Sequence, residues 1–217
     1  MNWAEAGFHL FGVKVLWTDL VGSLAALVPV FLAMRKSIWN WPIQFVGAIL
    51  LLIAYANAHL TGSALKNAMM AILAIYGWWK WHQGTQGDQE LVIRQATPRE
   101  RTGLIAAVVG GTAVFGVFLY LTGLSWGAHA PAPESYFLVA ADAYIFVGGA
   151  VATYAMSKAL VDFWIIWLLV DLVGVPLAFK SGLYFNGSVY AIFFVMVLYG
   201  FANWRKQSRL TQEAVAK

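Results

Sequence analysis

Cysteine is absent from this chain, and charge is scarce. Without a thiol there is no disulfide framework, no thiolate nucleophile and no Cys-ligated metal. Charged residues make up 11% of the 217, against roughly 25% in ordinary soluble domains. No G-x-x-x-x-G-K-[ST] phosphate loop occurs, so ATP hydrolysis by this chain itself is excluded. His9, His59, His82 and His129 have no metal-ligand spacing, and no metal or cofactor is implied. Met1 to Leu16 lack a basic n-region and a small-residue cleavage site, so no cleavable signal is expected.

What the chain has is apolar length. It is 61% hydrophobic, and long apolar stretches fall at 15–34, 37–56, 61–80, 102–123, 138–157, 162–179 and 183–204. Each is close to the roughly 20 residues that cross a bilayer as a helix. They are continuous rather than alternating, which favours helices over barrel strands. The expectation is an all-α integral membrane protein of seven transmembrane helices, a single membrane domain over 1–217, multi-pass in a bacterial inner membrane. The longest polar segment, Trp81 to Arg101, reads as a solvated linker. Ser125 to Ser135, with Pro131 and Pro133, reads as a short loop.

Basic residues set the orientation. Arg35, Lys36, Lys80, Arg94, Arg99, Arg101, Lys158, Arg205, Lys206, Arg209 and Lys217 fall on one side, and Lys14, Lys66 and Lys180 on the other. The positive-inside rule then predicts an external N-terminus and a cytoplasmic C-terminus. The basic tail is short and adjoins a helix, so its partner is the lipid bilayer and not nucleic acid.

A shift of 123 residues superposes the first three spans on the last three without a gap. Asp19 falls on Asp142, Trp41 on Trp164, Leu60 on Leu183, Tyr76-Gly77 on Tyr199-Gly200, and Trp81 on Trp204. The predicted order is three plus one plus three: a repeat over 15–81, a linker helix over 102–123, and a second repeat over 138–204. The odd helix between them gives both copies one orientation, a parallel repeat of the kind that encloses a midplane substrate.

Asp171 is the sharpest candidate, a carboxylate at the centre of the sixth span, where charge is costly and usually functional. Trp164, Trp167, Asp171 and Gly174 share its face by helical spacing. Gly174 and Pro176 are expected to loosen the backbone beyond it. Trp41, Gln44, Ala48 and Tyr55 form the matching face of the second span. Flat rings with amide hydrogen bonds suit a planar heteroaromatic ligand. Asn67, Tyr144, Tyr154, Asn186 and Tyr190 complete the candidate substrate-binding set. Gly148-Gly149 and Ala150 allow close approach of a backbone or a ligand. Trp3, Trp17, Trp78, Trp79, Trp81, Trp126 and Trp204 lie near span boundaries and read as interfacial anchors. Asp19 and Asp142 read as helix N-caps. No catalytic constellation accompanies Asp171, so an enzyme is not expected. A seven-helix photoreceptor is set aside because residues 183–204 carry no lysine for a Schiff base.

Trp39-Asn40-Trp41-Pro42, Tyr76-Gly77-Trp78, the run from Trp164 through Trp167 to Asp171, and the closing Gly200 to Trp204 resemble the recurring features of the PnuC family of vitamin transporters, over about residues 15–206. The resemblance implies a homotrimer and facilitated diffusion, with cytoplasmic phosphorylation trapping the vitamin. Members that carry nicotinamide riboside tend to have Thr, Ser and Gln where this chain has Phe146, Gly149 and Thr153, and Glu-Asn where it has Asp162-Phe163. The runs Asp142 to Gly148 and Trp167 to Pro176 resemble instead the riboflavin-carrying branch, PnuX/RibM. The implied substrate is riboflavin. The alternatives are nicotinamide riboside, thiamine, or a vitamin-binding subunit that needs a separate energy module.

Overall fold

The computed structural model describes residues 7–10, 13–16, 27–57, 61–84, 92–125, 127–180 and 184–215. At 7–10, 13–16, 54–57, 61–63, 177–180, 184–190, 211–212 and 214–215 it describes the backbone alone. Seven helices occur among the described residues: α1 (27–34), α2 (Asn40–Asn57), α3 (Thr61–Gly84), α4 (Pro98–Thr122), α5 (Glu134–Ser157), α6 (Phe163–Lys180) and α7 (Tyr184–Val215). The last six match their predicted spans closely. α7 runs well past Trp204, carrying the basic tail as helix.

The body is helical, but the chain is not wholly so. Two strands, β1 (Gly7–Leu10) and β2 (Val13–Leu16), pair antiparallel, with His9 opposite Lys14. Val13 and Val15 are β-branched, which favours strands. The predicted first span therefore begins in a strand at 15–16. Asp19 and Trp17 lie outside the described residues, as do Trp3, His59, Leu60, Trp126 and Leu183.

α2 packs on α3. α5 packs on α3, α4 and α6, and α6 packs on α7. α4 shows its apolar side chains outward: Ile105, Val109, Val114 and Leu121 are all 64% exposed or more. So much exposed apolar surface on one helix has no place in water and suits contact with lipid tails. α4 and α5 are each long and apolar enough to cross a membrane.

Between helices in lipid, association comes from close packing and hydrogen bonds. Here it comes from tryptophans set into glycine notches. A Cβ on Gly77 would stand 2.1 Å from the Trp41 ring, and one on Gly200 2.5 Å from the Trp164 ring. Trp41 lies edge-on to Trp81 at 5.3 Å and 87°, and Trp164 edge-on to Trp204 at 6.0 Å and 84°. Trp81 and Trp204 meet at 6.3 Å, so one buried cluster joins both halves of the chain. Trp81 and Trp204 are thus core residues with no exposed surface to speak of, not interfacial anchors. Trp78 and Trp79 are about half exposed.

The turns before α2 and α6 match as well. In one, Lys36 N donates to Ala33 O at 3.0 Å and Ser37 N to Leu32 O at 2.9 Å; in the other, Ala159 N donates to Met156 O at 2.9 Å and Leu160 N to Ala155 O at 3.2 Å. Lys36 and Ala159 both take the left-handed conformation, φ 55 and 52. Each turn is a Schellman motif, in which a left-handed residue lets the chain close the last helical carbonyls. The corresponding atoms are 123 residues apart throughout.

Candidate functional site

α6 crosses α5 where α5 has no side-chain bulk. A Cβ on Gly148 would stand 2.4 Å from Val170 Cγ2, and one on Gly149 3.3 Å from the Trp167 ring. Thr153 Oγ1 turns back to its own helix, donating to Gly149 O at 2.8 Å. Trp167 lies half-buried over Gly149, edge-on to Phe193 of α7 at 5.7 Å and 73°. One turn further along α6, Asp171 is 3% exposed, and its Oδ2 has no hydrogen-bond partner among the described residues. A buried acceptor left unpaired costs about 1–3 kcal/mol, a cost that a ligand donor relieves. α6 runs without a break through Pro176, so the expected loosening of its backbone is not seen. Proline removes one helical donor there, but the neighbouring turns hold.

The other candidate residues separate into distinct environments. Trp41 and Trp164 are at most 1% exposed, and the glycine notches occupy their rings. They hold α2 on α3 and α6 on α7, and no open ring face remains for a ligand. Tyr154 is 37% exposed on the α3-facing side of α5, stacked on Tyr76 at 6.0 Å and 14°. Gln44 on α2, Asn67 on α3 and Tyr144 on α5 are half-buried. The side chains of Asn186 and Tyr190, like that of Tyr55, lie outside the described residues. Trp167, half-buried, and Asp171, buried with an unpaired oxygen among the described residues, are therefore the candidate pair that shares one face of α6.

Asp142 is not a helix cap. It lies two turns inside α5, where it pairs with Lys66 of α3 and accepts from Ser125 Oγ at 2.9 Å. Opposite charges joined by hydrogen bonds are tolerable at that depth, whereas a lone one is costly. The signal available in the sequence was a lysine, Lys66, inside the third span, since intramembrane charges tend to pair with one another.

The second half of the predicted linker is docked, not solvated. Ile93 and Ala96 are buried, Arg94 N donates to Ala159 O at 3.2 Å, and Val161 N donates to Arg94 O at 2.9 Å. Asp162, ahead of α6, accepts from Ala96 N at 2.7 Å and from Arg101 Nε at 2.6 Å. Thr97 and Glu100 form a capping box on α4, and the two terminal guanidinium nitrogens of Arg94 each donate to Glu100 at 2.7 Å. The Arg94 hydrogen bonds, followed by those from Thr97, lower the Glu100 carboxyl to about 2. Thr97-Pro98-Arg99-Glu100 is a readable helix-start signature that the sequence reading passed over. Among the described residues no group of three or more His, Asp or Glu is spaced to hold a metal.

Comparison with known proteins follows the same lines. The family described as Nicotinamide mononucleotide transporter matches residues 16–206. The riboflavin/roseoflavin transporter RibM of Streptomyces davaonensis is 44% identical over 213 residues, covering 96% of this chain and 94% of that protein. The nicotinamide riboside transporter PnuC of Escherichia coli is 27% identical, covering 91% of this chain and 89% of its own length. A crystal structure of the vitamin B3 transporter PnuC superposes with a TM-score of 0.64 at 21% identity, over 89% of this chain and 82% of that one.

Proposed function

The chain belongs to the nicotinamide mononucleotide transporter family, and on that premise we propose that it imports riboflavin across the bacterial inner membrane by facilitated diffusion, with cytoplasmic phosphorylation trapping the vitamin. The observation that carries the substrate is the 44% identity, over nearly its full length, to a riboflavin/roseoflavin transporter. The Trp167–Asp171 face adds physical support. A half-buried indole offers a flat surface for an isoalloxazine ring, worth about 0.5–1.5 kcal/mol beyond burial. The unpaired Asp171 oxygen is an acceptor for a ring N–H or a ribityl hydroxyl. Gln44, Asn67, Tyr144, Asn186 and Tyr190 complete the proposed polar lining. Trp41 and Trp164 act one layer out, holding α2 and α6 in register.

The proposed membrane arrangement is N-out and C-in, in a homotrimer whose chains each pair two parallel three-helix repeats. The matched turns and matched ring-in-notch contacts at an offset of 123 support the repeat. The scarcity of unpaired intramembrane charge supports transport without ion coupling, since Lys66 and Asp142 neutralise one another.

The test is riboflavin binding and counterflow with the purified protein in sealed vesicles. Riboflavin emission is quenched on binding as an indole stacks on the excited ring, and Trp167→Ala restores it. Asp171→Asn lowers affinity by roughly tenfold to a hundredfold, the loss of a hydrogen bond to a charged group of about 1.5–3 kcal/mol. Unquenched riboflavin beside tight binding of nicotinamide riboside overturns the substrate and favours the second reading, which the 27% identity to nicotinamide riboside transporter PnuC supports. No vitamin flux without a partner protein overturns the autonomous carrier in favour of a binding subunit.

A further inference from the structure

α3 and α4 each pack on α5 without comparable contact between themselves, which leaves a crevice floored by α5. Its volume is about 500 Å³, within the range of roughly 300–1,000 Å³ typical of ligand sites. Met69 and Leu73 of α3 form one wall, Leu104 and Ala107 of α4 the other, and Val151 the floor. All five are apolar. The crevice is polar only at one end, where Tyr154, Lys158 and Glu100 meet.

The charge at that end is not balanced. Glu100 is fully engaged by Arg94, and Arg101 by Asp162. Lys158 belongs to none of the ion pairs among the described residues. Its amine lies 4.7 Å from the centre of the Tyr154 ring, held over the mouth of the crevice. Interaction with the Tyr154 side chain also raises the lysine above its ordinary pKa, so it stays charged at neutral pH. This end carries most of the chain's basic residues, the side assigned above to the cytoplasm.

We propose that this crevice holds an anionic glycerophospholipid of the cytoplasmic leaflet, its phosphate on Lys158 and one acyl chain laid along α5 between α3 and α4. An apolar trough that ends in a cation outside the ion pairs of the described residues complements an amphiphile with a negative head. Basic pockets between transmembrane helices on the cytoplasmic side bind anionic head groups by the same physics. The proposal rests on the reading of the chain as a membrane protein but not on its vitamin, since the crevice shares no residue with the Trp167–Asp171 face.

The experiment is native mass spectrometry of the full chain, released from vesicles of equal phosphatidylglycerol and phosphatidylcholine. Wild type retains phosphatidylglycerol about fivefold over phosphatidylcholine, the equivalent of about 1 kcal/mol per lysine near a charged surface. Lys158→Glu abolishes that preference while leaving riboflavin quenching intact. Ala107→Trp, which fills the trough, lowers retention of both lipids. Equal retention of the two lipids by wild type overturns the proposal, as does retention unchanged by either variant. Because the chain has no native cysteine, Ala107→Cys also reports a rival occupant: a disulfide between copies in the membrane assigns the crevice to a second chain and overturns the lipid.

Discussion

The two ends of the tryptophan cluster are built alike and closed differently. In the first half Trp41 enters the Gly77 notch beside Trp81; in the second Trp164 enters the Gly200 notch beside Trp204. Trp81 Nε1 donates to Met156 O at 3.0 Å, across to the second half, and Asn40 Nδ2 approaches Met156 Sδ at 3.9 Å. Trp204 Nε1, at the matching place, is buried without a partner among the described residues, although Ala33, which matches Met156, lies in the same core. The ring-in-notch arrangement recurs in both halves, while the polar closure among the described residues is one-sided. Shape is enforced by every atom in the notch, whereas a single hydrogen bond of about 1 kcal/mol can be lost from one copy and leave its fold intact.

That comparison has a graded set of breaking points, each read as thermal unfolding of the purified protein. Trp41→Ala and Trp164→Ala carry the largest effect, about 3–5 kcal/mol each; a large inequality between them means that the halves are not equivalent in packing. Gly77→Ala and Gly200→Ala come next. Overpacking costs about 1–3 kcal/mol, and Gly77 should suffer more, because its Cβ would stand closer to the ring. Trp81→Phe and Trp204→Phe isolate the polar difference. The first loses about 0.5–1.5 kcal/mol with its hydrogen bond, while the second removes an unpaired buried donor and is neutral or stabilising. Equal losses from the two would erase the asymmetry. The smallest effect is confined to the strap on the second turn. The folded carboxyl of Glu100 lies at about 2, below its ordinary 4.5. The stability from its pair with Arg94 is therefore complete above about 4.5 and lost as pH falls toward about 2. Amide exchange at Leu160 and Val161 should be unchanged from pH 7 to 5 after correction for intrinsic rates, and accelerate below 4.5. Glu100→Gln should abolish that acid limb.

Much of the architecture was legible because membrane helices are set by length and apolarity, which composition reports directly. The 123-residue spacing was legible because tryptophan and glycine are rare enough for coincidence to stand out. The role of Trp41 and Trp164 was not, since a ring that fills a notch and a ring that stacks a ligand look the same in sequence. What separates them is the glycine opposite, 36 residues along, and its significance is visible only when the helices are laid together. The docking of 92–97 was hidden for a related reason. A strap that satisfies its polar groups on protein has the same composition as one that satisfies them in water. Trp167 and Asp171 stayed together because both lie on one helix, where spacing alone fixes the face.

The strap also divides the chain unevenly. Its backbone bonds to 159–161, the Arg101–Asp162 pair and the packing of α4 on α5, α5 on α6 and α6 on α7 bind the described residues from Val92 onward into one unit. What joins α3 to that unit is side-chain work: Trp81 on Met156, Lys66 on Asp142, Tyr76 on Tyr154. All three contacts are made by residues outside the segment between Gly84 and Val92. Co-expressed as two polypeptides divided after Gln86, the pieces should find one another in the bilayer and rebuild the carrier, as though one gene had fused two subunits that still recognise each other.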